Sequence, residues 1–279
     1  MTRADAPAGT GRPYAEVIGD PIAQSKSPVI HGFWLDSLGI DAEYRKTLVA
    51  AADLPGYFAD RRADPAWRGC NITIPHKIAA LDLVEDRGGV RQSIGAINCV
   101  LRDGDALIGT NTDAGGFVAP IVGLDLTGQH VTVIGAGGAA RAVLFALSKL
   151  GVGRVTVMNR SPLKAAGLLA GFGLKGDVVP LAAPLAPTTA LLVNTSALGM
   201  TGQPPLEIDL APLPEDAVVY DIVYAPLETP LLAQAHARGL DTVDGLEMLI
   251  GQAALAFELL FDAPPPRDRD EELRALLTS

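Results

Sequence analysis

The sequence predicts a two-domain α/β chain, and three observations lead there. From Tyr14 onward, short apolar runs alternate with helical patterns, as in βαβ units on a mostly parallel sheet. Further on, a glycine-rich turn, Gly135-Ala136-Gly137-Gly138-Ala139, sits between a β-branched run and a helical pattern. The length of 279 residues leaves room for two ordinary domains with a substantial core.

Residues 1 to 12 are rich in Ala, Gly, Thr and Pro without periodicity and are expected to form a loose tail. Strands are expected at 15–19, 44–49 and 70–74, alternating with helices at 28–38, 54–61 and 77–83. Residues 97–102 and 106–109, joined by Asp103-Gly104-Asp105, read as a hairpin. In the second half, strands are expected at 131–134, in the β-branched run that closes on Asn159-Arg160, and at 178–181, 190–194, 218–223 and 241–243. The Pro-rich stretch 180–187 reads as loop. Residues 245–261 carry a long amphipathic pattern, with Leu246, Leu249, Ile250, Ala253, Leu255 and Phe257 mostly on one broad face. Ala263-Pro264-Pro265-Pro266 stops that helix, and 270–277 predicts a short terminal one with Leu273, Leu276 and Leu277 as its apolar face.

Composition excludes several function classes. The chain is 48% hydrophobic and 19% charged, which is globular, and its net charge of −10 opposes a nucleic-acid partner. No apolar run approaches the roughly 18 to 20 residues a membrane span needs, and no signal peptide pattern is present, so a cytoplasmic protein is expected. Cys70 and Cys99 lack metal or disulfide spacing and are expected as buried free thiols. His31, His76, His130 and His236 form no ligand pair, so no metal is expected, and His31 and His76 are expected as satisfied structural histidines.

The glycine-rich turn carries a ligand. Its first glycine permits a tight turn after the strand, and the second lets backbone amides approach a pyrophosphate. The small residues after them let the next helix pack closely, with its positive N-terminus toward the anion. An NAD site places an acidic residue about 20 residues on, at the ribose. Here Asn159 and Arg160 stand there, with Lys164 one helical turn further. A guanidinium grips a 2′-phosphate that a carboxylate would repel, so NADP is the expected cofactor, with Arg141 adding to the local positive charge.

A second motif is Gly69-Cys70-Asn71-Ile72-Thr73-Ile74-Pro75-His76-Lys77. Alternation places Asn71 and Thr73 on one face and Ile72 and Ile74 on the other, and Pro75 is expected to end the strand so that Lys77 opens a helix at the sheet edge. Asn111-Thr112-Asp113, before Gly115-Gly116, offers a carboxylate at another loop-to-helix junction. Lysine and aspartate supply the proton handling that hydride transfer needs, since an alkoxide forming from a ketone must be protonated. Taken singly, each has a plainer reading, an exposed helix-start lysine and a helix-capping aspartate.

The ordered series from Gly19-Asp20-Pro21 through Ser25-Lys26-Ser27-Pro28, Asn71 to Lys77, Gly95-Ala96-Ile97-Asn98 and Asn111-Thr112-Asp113 resembles the shikimate dehydrogenases. The resemblance continues through Asn159-Arg160-Ser161, Asn194-Thr195-Ser196, Asp221-Ile222-Val223-Tyr224 and Gly245-Leu246-Glu247-Met248-Leu249 to Gln252, covering about residues 14 to 262. It implies NADPH-dependent, reversible reduction of 3-dehydroshikimate to shikimate, a step in making aromatic amino acids. By that similarity Lys77 and Asp113 are the catalytic pair, with Lys77 the proton donor and acceptor. Ser25 and Ser27 hold the substrate carboxylate, their alternative being a helix cap ahead of Pro28. Asn71, Thr73, Asn98, Asp113, Tyr224 and Gln252 are implied as the remaining substrate partners.

On the cofactor side, Gly135, Ala136, Gly137, Gly138 and Ala139 cradle the pyrophosphate. Asn159, Arg160, Ser161 and Lys164 hold the 2′-phosphate, and Ile222 and Gly245 lie on the nicotinamide side. Asn194-Thr195-Ser196 either line the cofactor cleft or form a strand-end turn. Gly32, Cys99 and Ala225 depart from the family pattern. The implied architecture is a substrate domain over 13–113, to which 246–279 returns, and a Rossmann-type NADP domain over 114–245. The partner is a small-molecule substrate, and the state a monomer or homodimer. Two other readings stay open: a quinate or amino-shikimate dehydrogenase of the same family, and a catalytically silent ligand-sensing relative, which would need neither Lys77 nor Asp113.

Overall fold

The computed structural model describes residues 11–279, so most of the expected N-terminal tail lies outside the described residues. The chain divides into two compact units. One runs up to Thr112 and takes in Gln252–Ser279, and the other is Asp113–Gly251.

The first unit is built from β1 (Tyr14–Gly19), α1 (Ser27–Leu38), β2 (Glu43–Leu48), α2 (Leu54–Ala63), β3 (Trp67–Ile72), the short α3 (Val90–Ser93), β4 (Cys99–Asp103) and β5 (Ala106–Thr110). The sheet order is β2-β1-β3-β4-β5. β1 lies parallel to both neighbours, while β3, β4 and β5 pair antiparallel, the last two as the expected hairpin around Gly104-Asp105. Every residue of β1 is buried, as a continuous apolar run between two parallel neighbours should be. Its one charged member, Glu16, receives bonds from the Tyr57 hydroxyl at 2.7 Å, the Arg61 guanidinium at 2.6 Å and the Thr47 hydroxyl. A buried charge needs such partners. α1 carries Pro28 in its first turn and stops at Gly39 in the left-handed region, with Ile30, His31, Trp34 and Leu35 as its buried stripe.

Two expectations are corrected here. β3 ends at Ile72 rather than 74, and Ile74 is 52% exposed instead of packing opposite Asn71. Lys77 does not open an α-helix: 74–78 form turns, followed by a 3₁₀ segment, Ala79–Asp82. An α-helix would need the Lys77 carbonyl to accept from Leu81. Ile97 N–H takes that carbonyl at 2.8 Å, and Leu81 N–H donates to Ile78 instead.

The second unit comprises α4 (Asp113–Val118), β6 (His130–Ile134), α5 (Gly138–Lys149), β7 (Arg154–Met158), α6 (Pro162–Gly171), β8 (Gly176–Val179), β9 (Thr189–Asn194), β10 (Val218–Asp221), α7 (Pro230–Ala237), β11 (Asp241–Val243) and the start of α8 (Gly245–Phe261). Its six strands are all parallel in the order β8-β7-β6-β9-β10-β11. Renumbered from β6 this is 3-2-1-4-5-6, the order of dinucleotide-binding sheets, with the reversal between β6 and β9. α8 crosses the division at Gly251/Gln252, and α9 (Asp270–Thr278) ends the chain. Leu273 and Leu277 of α9 are buried, and α9 packs on α1. There Arg269 lies 4.7 Å over the Phe33 ring, and the Lys26 ammonium donates to the Leu277 carbonyl.

Both cysteines are free and buried, as expected. His76 is bonded through Nε2 to the Val49 carbonyl at 2.7 Å. His31 is not satisfied: it is fully buried, neither ring nitrogen has a hydrogen-bond partner among the described residues, and burial holds its pKa down at about 3. It is retained by stacking, since its ring lies flat on Tyr44 with centroids 3.9 Å apart. Among the described residues no helix is long and apolar enough to cross a membrane.

Candidate active site

In the first unit, residues far apart in sequence form one polar cluster. Asn71, 5% exposed near the end of β3, accepts from the Tyr44 hydroxyl at 2.7 Å and donates to the Asn98 carbonyl at 3.2 Å. The Asn98 side chain accepts from Thr112 N–H at 2.6 Å and donates to the Thr112 hydroxyl at 2.9 Å and to Gln252 Oε1 at 3.3 Å. Thr112 also reaches Gln252, at 3.4 Å. Such cross-bonded amides and hydroxyls hold each other's geometry. Sequence reasoning assigned Asn71, Asn98 and Gln252 but not Tyr44 or Thr112. Thr112 was signalled by its place inside Asn-Thr-Asp; no local motif marks Tyr44.

Thr73 and Lys77 follow β3 on the turn, both partly buried. Thr73 explains a glycine: a Cβ on Gly19 would lie 2.4 Å from its methyl carbon. Ser25 precedes α1, and Ser27 is its first residue. The capping alternative for them is corrected, because the N-cap position is Lys26 and no side chain caps the helix. Ser25 Oγ only approaches Ser27 N–H at 3.4 Å.

Asp113 and Tyr224 belong to the second unit. Asp113 is the first residue of α4 and 4% exposed, while Tyr224 is partly buried, with burial pushing its phenol pKa up.

Of the expected cofactor residues, the glycine turn stands at the reversal point of the second sheet. Gly135 follows β6 with φ 106°, and a Cβ there would lie 2.8 Å from Thr195 Oγ1. Position 135 therefore requires glycine twice over. Ala136 is buried beneath the turn. Gly137 faces open space, and α5 starts at Gly138, followed by Ala139, so backbone N–H groups at a helix N-terminus border that space. On the first turn of α5, Arg141 Nε is buried without a hydrogen-bond partner among the described residues. Beyond β7, Asn159 donates to the Ser161 carbonyl at 3.0 Å. Arg160, Ser161 and Lys164 are exposed, and neither cation enters an ion pair among the described residues. The close turn, the open space, the orphaned guanidine nitrogen and the two cations together fit a dinucleotide with an additional phosphate.

Gly245 and Ile222 meet one another, since a Cβ on Gly245 would lie 2.4 Å from the Ile222 carbonyl oxygen. For Asn194-Thr195-Ser196 the structure holds the strand-end turn. The Asn194 amide binds the Leu198 carbonyl, Asp221 and Ser196, and Thr195 donates to the Ile134 carbonyl. Asp221, which carries that turn, was assigned no role from sequence. It is fully buried, burial pushes its carboxyl pKa up, and Thr229 O–H and Val223 N–H donate to it at 2.7 and 3.0 Å.

A 3-2-1-4-5-6 parallel sheet with a glycine turn at its reversal, joined to a unit bearing an amide–hydroxyl cluster, defines a dinucleotide-binding α/β protein with a separate site for a small polar ligand. Family models agree: residues 17–100 match the shikimate dehydrogenase substrate binding domain, 118–186 shikimate / quinate 5-dehydrogenase, and 245–273 the shikimate 5′-dehydrogenase C-terminal domain. The chain is 67% identical to the shikimate dehydrogenase (NADP(+)) of Sphingopyxis alaskensis over 96% of this chain and 97% of that one. It is 48% identical to the enzyme of the same name from Rhodopseudomonas palustris over 96% of each. Among solved structures, shikimate 5-dehydrogenase from Thermus thermophilus, in complex with NADP(H) and shikimate, is 39% identical with a TM-score of 0.83, covering 95% of this chain and 99% of that one. The chain belongs to the shikimate dehydrogenase family.

Proposed function

We propose that this chain catalyses the reversible, NADPH-dependent reduction of 3-dehydroshikimate to shikimate, with Lys77 and Asp113 as its acid–base pair. The observation that carries the reading is the coexistence of the buried cluster around Asn71, Asn98 and Gln252 with the glycine turn and the exposed cations beyond β7 in the second unit. The first unit, with the chain from Gln252 on, is the substrate domain, and the second the NADP domain. When bound, NADPH supplies the hydride.

The residues do the rest. Ser25 and Ser27 hold the carboxylate, and Asn71, Thr73, Asn98, Tyr224 and Gln252 bond the ring hydroxyls and carboxylate. Lys77 protonates the oxygen of the reduced carbonyl, and Asp113 orients that same oxygen. Backbone N–H groups from 135–139 take the pyrophosphate, while Asn159, Arg160, Ser161 and Lys164 take the 2′-phosphate. Ile222 and Gly245 border the nicotinamide. The protein works in the cytoplasm as a monomer or homodimer.

The test is initial rate with shikimate and then quinate, each with NADP and NAD. Fast turnover confined to shikimate with NADP is expected. Preference for quinate or NAD moves the chain to a different specificity within the family. Cofactor binding without turnover on any of these substrates makes it a ligand-sensing relative.

A further inference from the structure

Tyr44 lies outside every motif described above, on β2 at the edge of the first sheet, yet it is buried. Its ring stacks on His31 at an interplanar angle of 2°, and His31 is backed by Trp34 and Phe257 with centroids 5.7 and 5.8 Å away. The tyrosine ring is thereby fixed, and with it the hydroxyl that donates to Asn71 Oδ1 at 2.7 Å. The other end of the Asn71 amide donates to the Asn98 carbonyl, which also accepts from Ile72 N–H at 2.8 Å. Rotating the amide by half a turn would set its oxygen against that carbonyl, two acceptors face to face. The carbonyl therefore selects the orientation, and the Tyr44 hydroxyl locks it. One N–H and one lone pair of Asn71 remain for a ligand.

We propose that Tyr44 is a positioning residue, whose hydroxyl holds the Asn71 carboxamide in the single orientation that meets a ring hydroxyl of the substrate. This rests on Asn71 being a substrate ligand, as the reading above has it. A carboxamide fixed before binding loses no rotational freedom when the substrate arrives, so removing the lock weakens substrate affinity and leaves cofactor affinity alone.

The test is a double-mutant cycle of Tyr44→Phe and Asn71→Ala, reading KM for shikimate, KM for NADP, kcat and thermal midpoint. Tyr44→Phe keeps the ring on His31 and removes only the hydroxyl. A rise of roughly 3- to 10-fold in shikimate KM, with NADP KM unchanged, is expected, the scale of one hydrogen bond. In the Asn71→Ala background the same change should add nothing. The proposal is overturned if Tyr44→Phe lowers only the thermal midpoint, or if its effect on KM persists undiminished without the Asn71 amide. If Asn71→Ala itself leaves shikimate KM unchanged, the substrate role of Asn71 fails first. A KM effect of Tyr44→Phe in that case would show Tyr44 acting by another route.

Discussion

The amide cluster of the first unit and the cations beyond β7 in the second are presented in opposite ways. In the first, Asn71, Asn98 and Gln252 are 5%, 2% and 8% exposed and bonded to one another or to Tyr44 and Thr112. In the second, Arg160, Ser161 and Lys164 stand exposed beyond β7, and the two cations have no ion-pair partner among the described residues. The first arrangement has its geometry set by the core before any ligand arrives. The second waits for an anion to order it, at about 0.5–1.5 kcal/mol per side chain immobilised. Damage to the first should therefore cost stability and binding together, and damage to the second binding alone.

The largest expected effect tests the chemistry both arrangements serve. Lys77→Ala should lower kcat about 10²- to 10⁴-fold, the range for a lost general acid. NADPH affinity, followed by fluorescence titration, should stay as it is. Asn98→Ala leaves Thr112 N–H without its acceptor and the Thr112 hydroxyl oxygen without its donor, so calorimetry should show a loss of about 1–3 kcal/mol together with a higher shikimate KM. Unchanged stability would mean the cluster is not held by its own bonds. Arg160→Ala should raise KM for NADP about 10- to 100-fold through a lost charge-assisted bond, with KM for NAD and the thermal midpoint untouched. A fall of several degrees would erase the contrast.

The smallest effect concerns His31, stacked on the Tyr44 ring. Its pKa is lowered by burial from 6.5 to about 3. Between those values the unfolded chain binds a proton that the folded chain refuses. Stability is thus lost as pH falls below about 6.5, by up to about 1.4 kcal/mol per unit, and His31 contributes no slope above it. Denaturant titrations from pH 7 to 5 should show a flatter dependence in His31→Phe, and equal slopes would contradict the assignment.

Much of this was legible because it is local. The span of α8 is marked by Gly245 at one end and the Pro264 run beyond the other, and β6 with its glycine turn is written in consecutive residues. The helix expected at Lys77 failed for a non-local reason. A backbone donor twenty residues on, Ile97 N–H, claims the carbonyl that would have continued it. His31 failed because sequence tells that a ring is buried without telling what surrounds its nitrogens; a flat stack on Tyr44 retains it with no hydrogen bond. Tyr44 itself escaped notice because its partner Asn71 is brought beside it by β1, which pairs with both of their strands.

The exposed cations beyond β7 have one more consequence. Side chains that bury nothing and brace nothing can be exchanged without disturbing the domain that carries them. Under mutation and selection, the choice between phosphorylated and unphosphorylated dinucleotide is then a trait free to drift on the surface of α6 and the loop before it. The identity of the small polar ligand is inherited with the core.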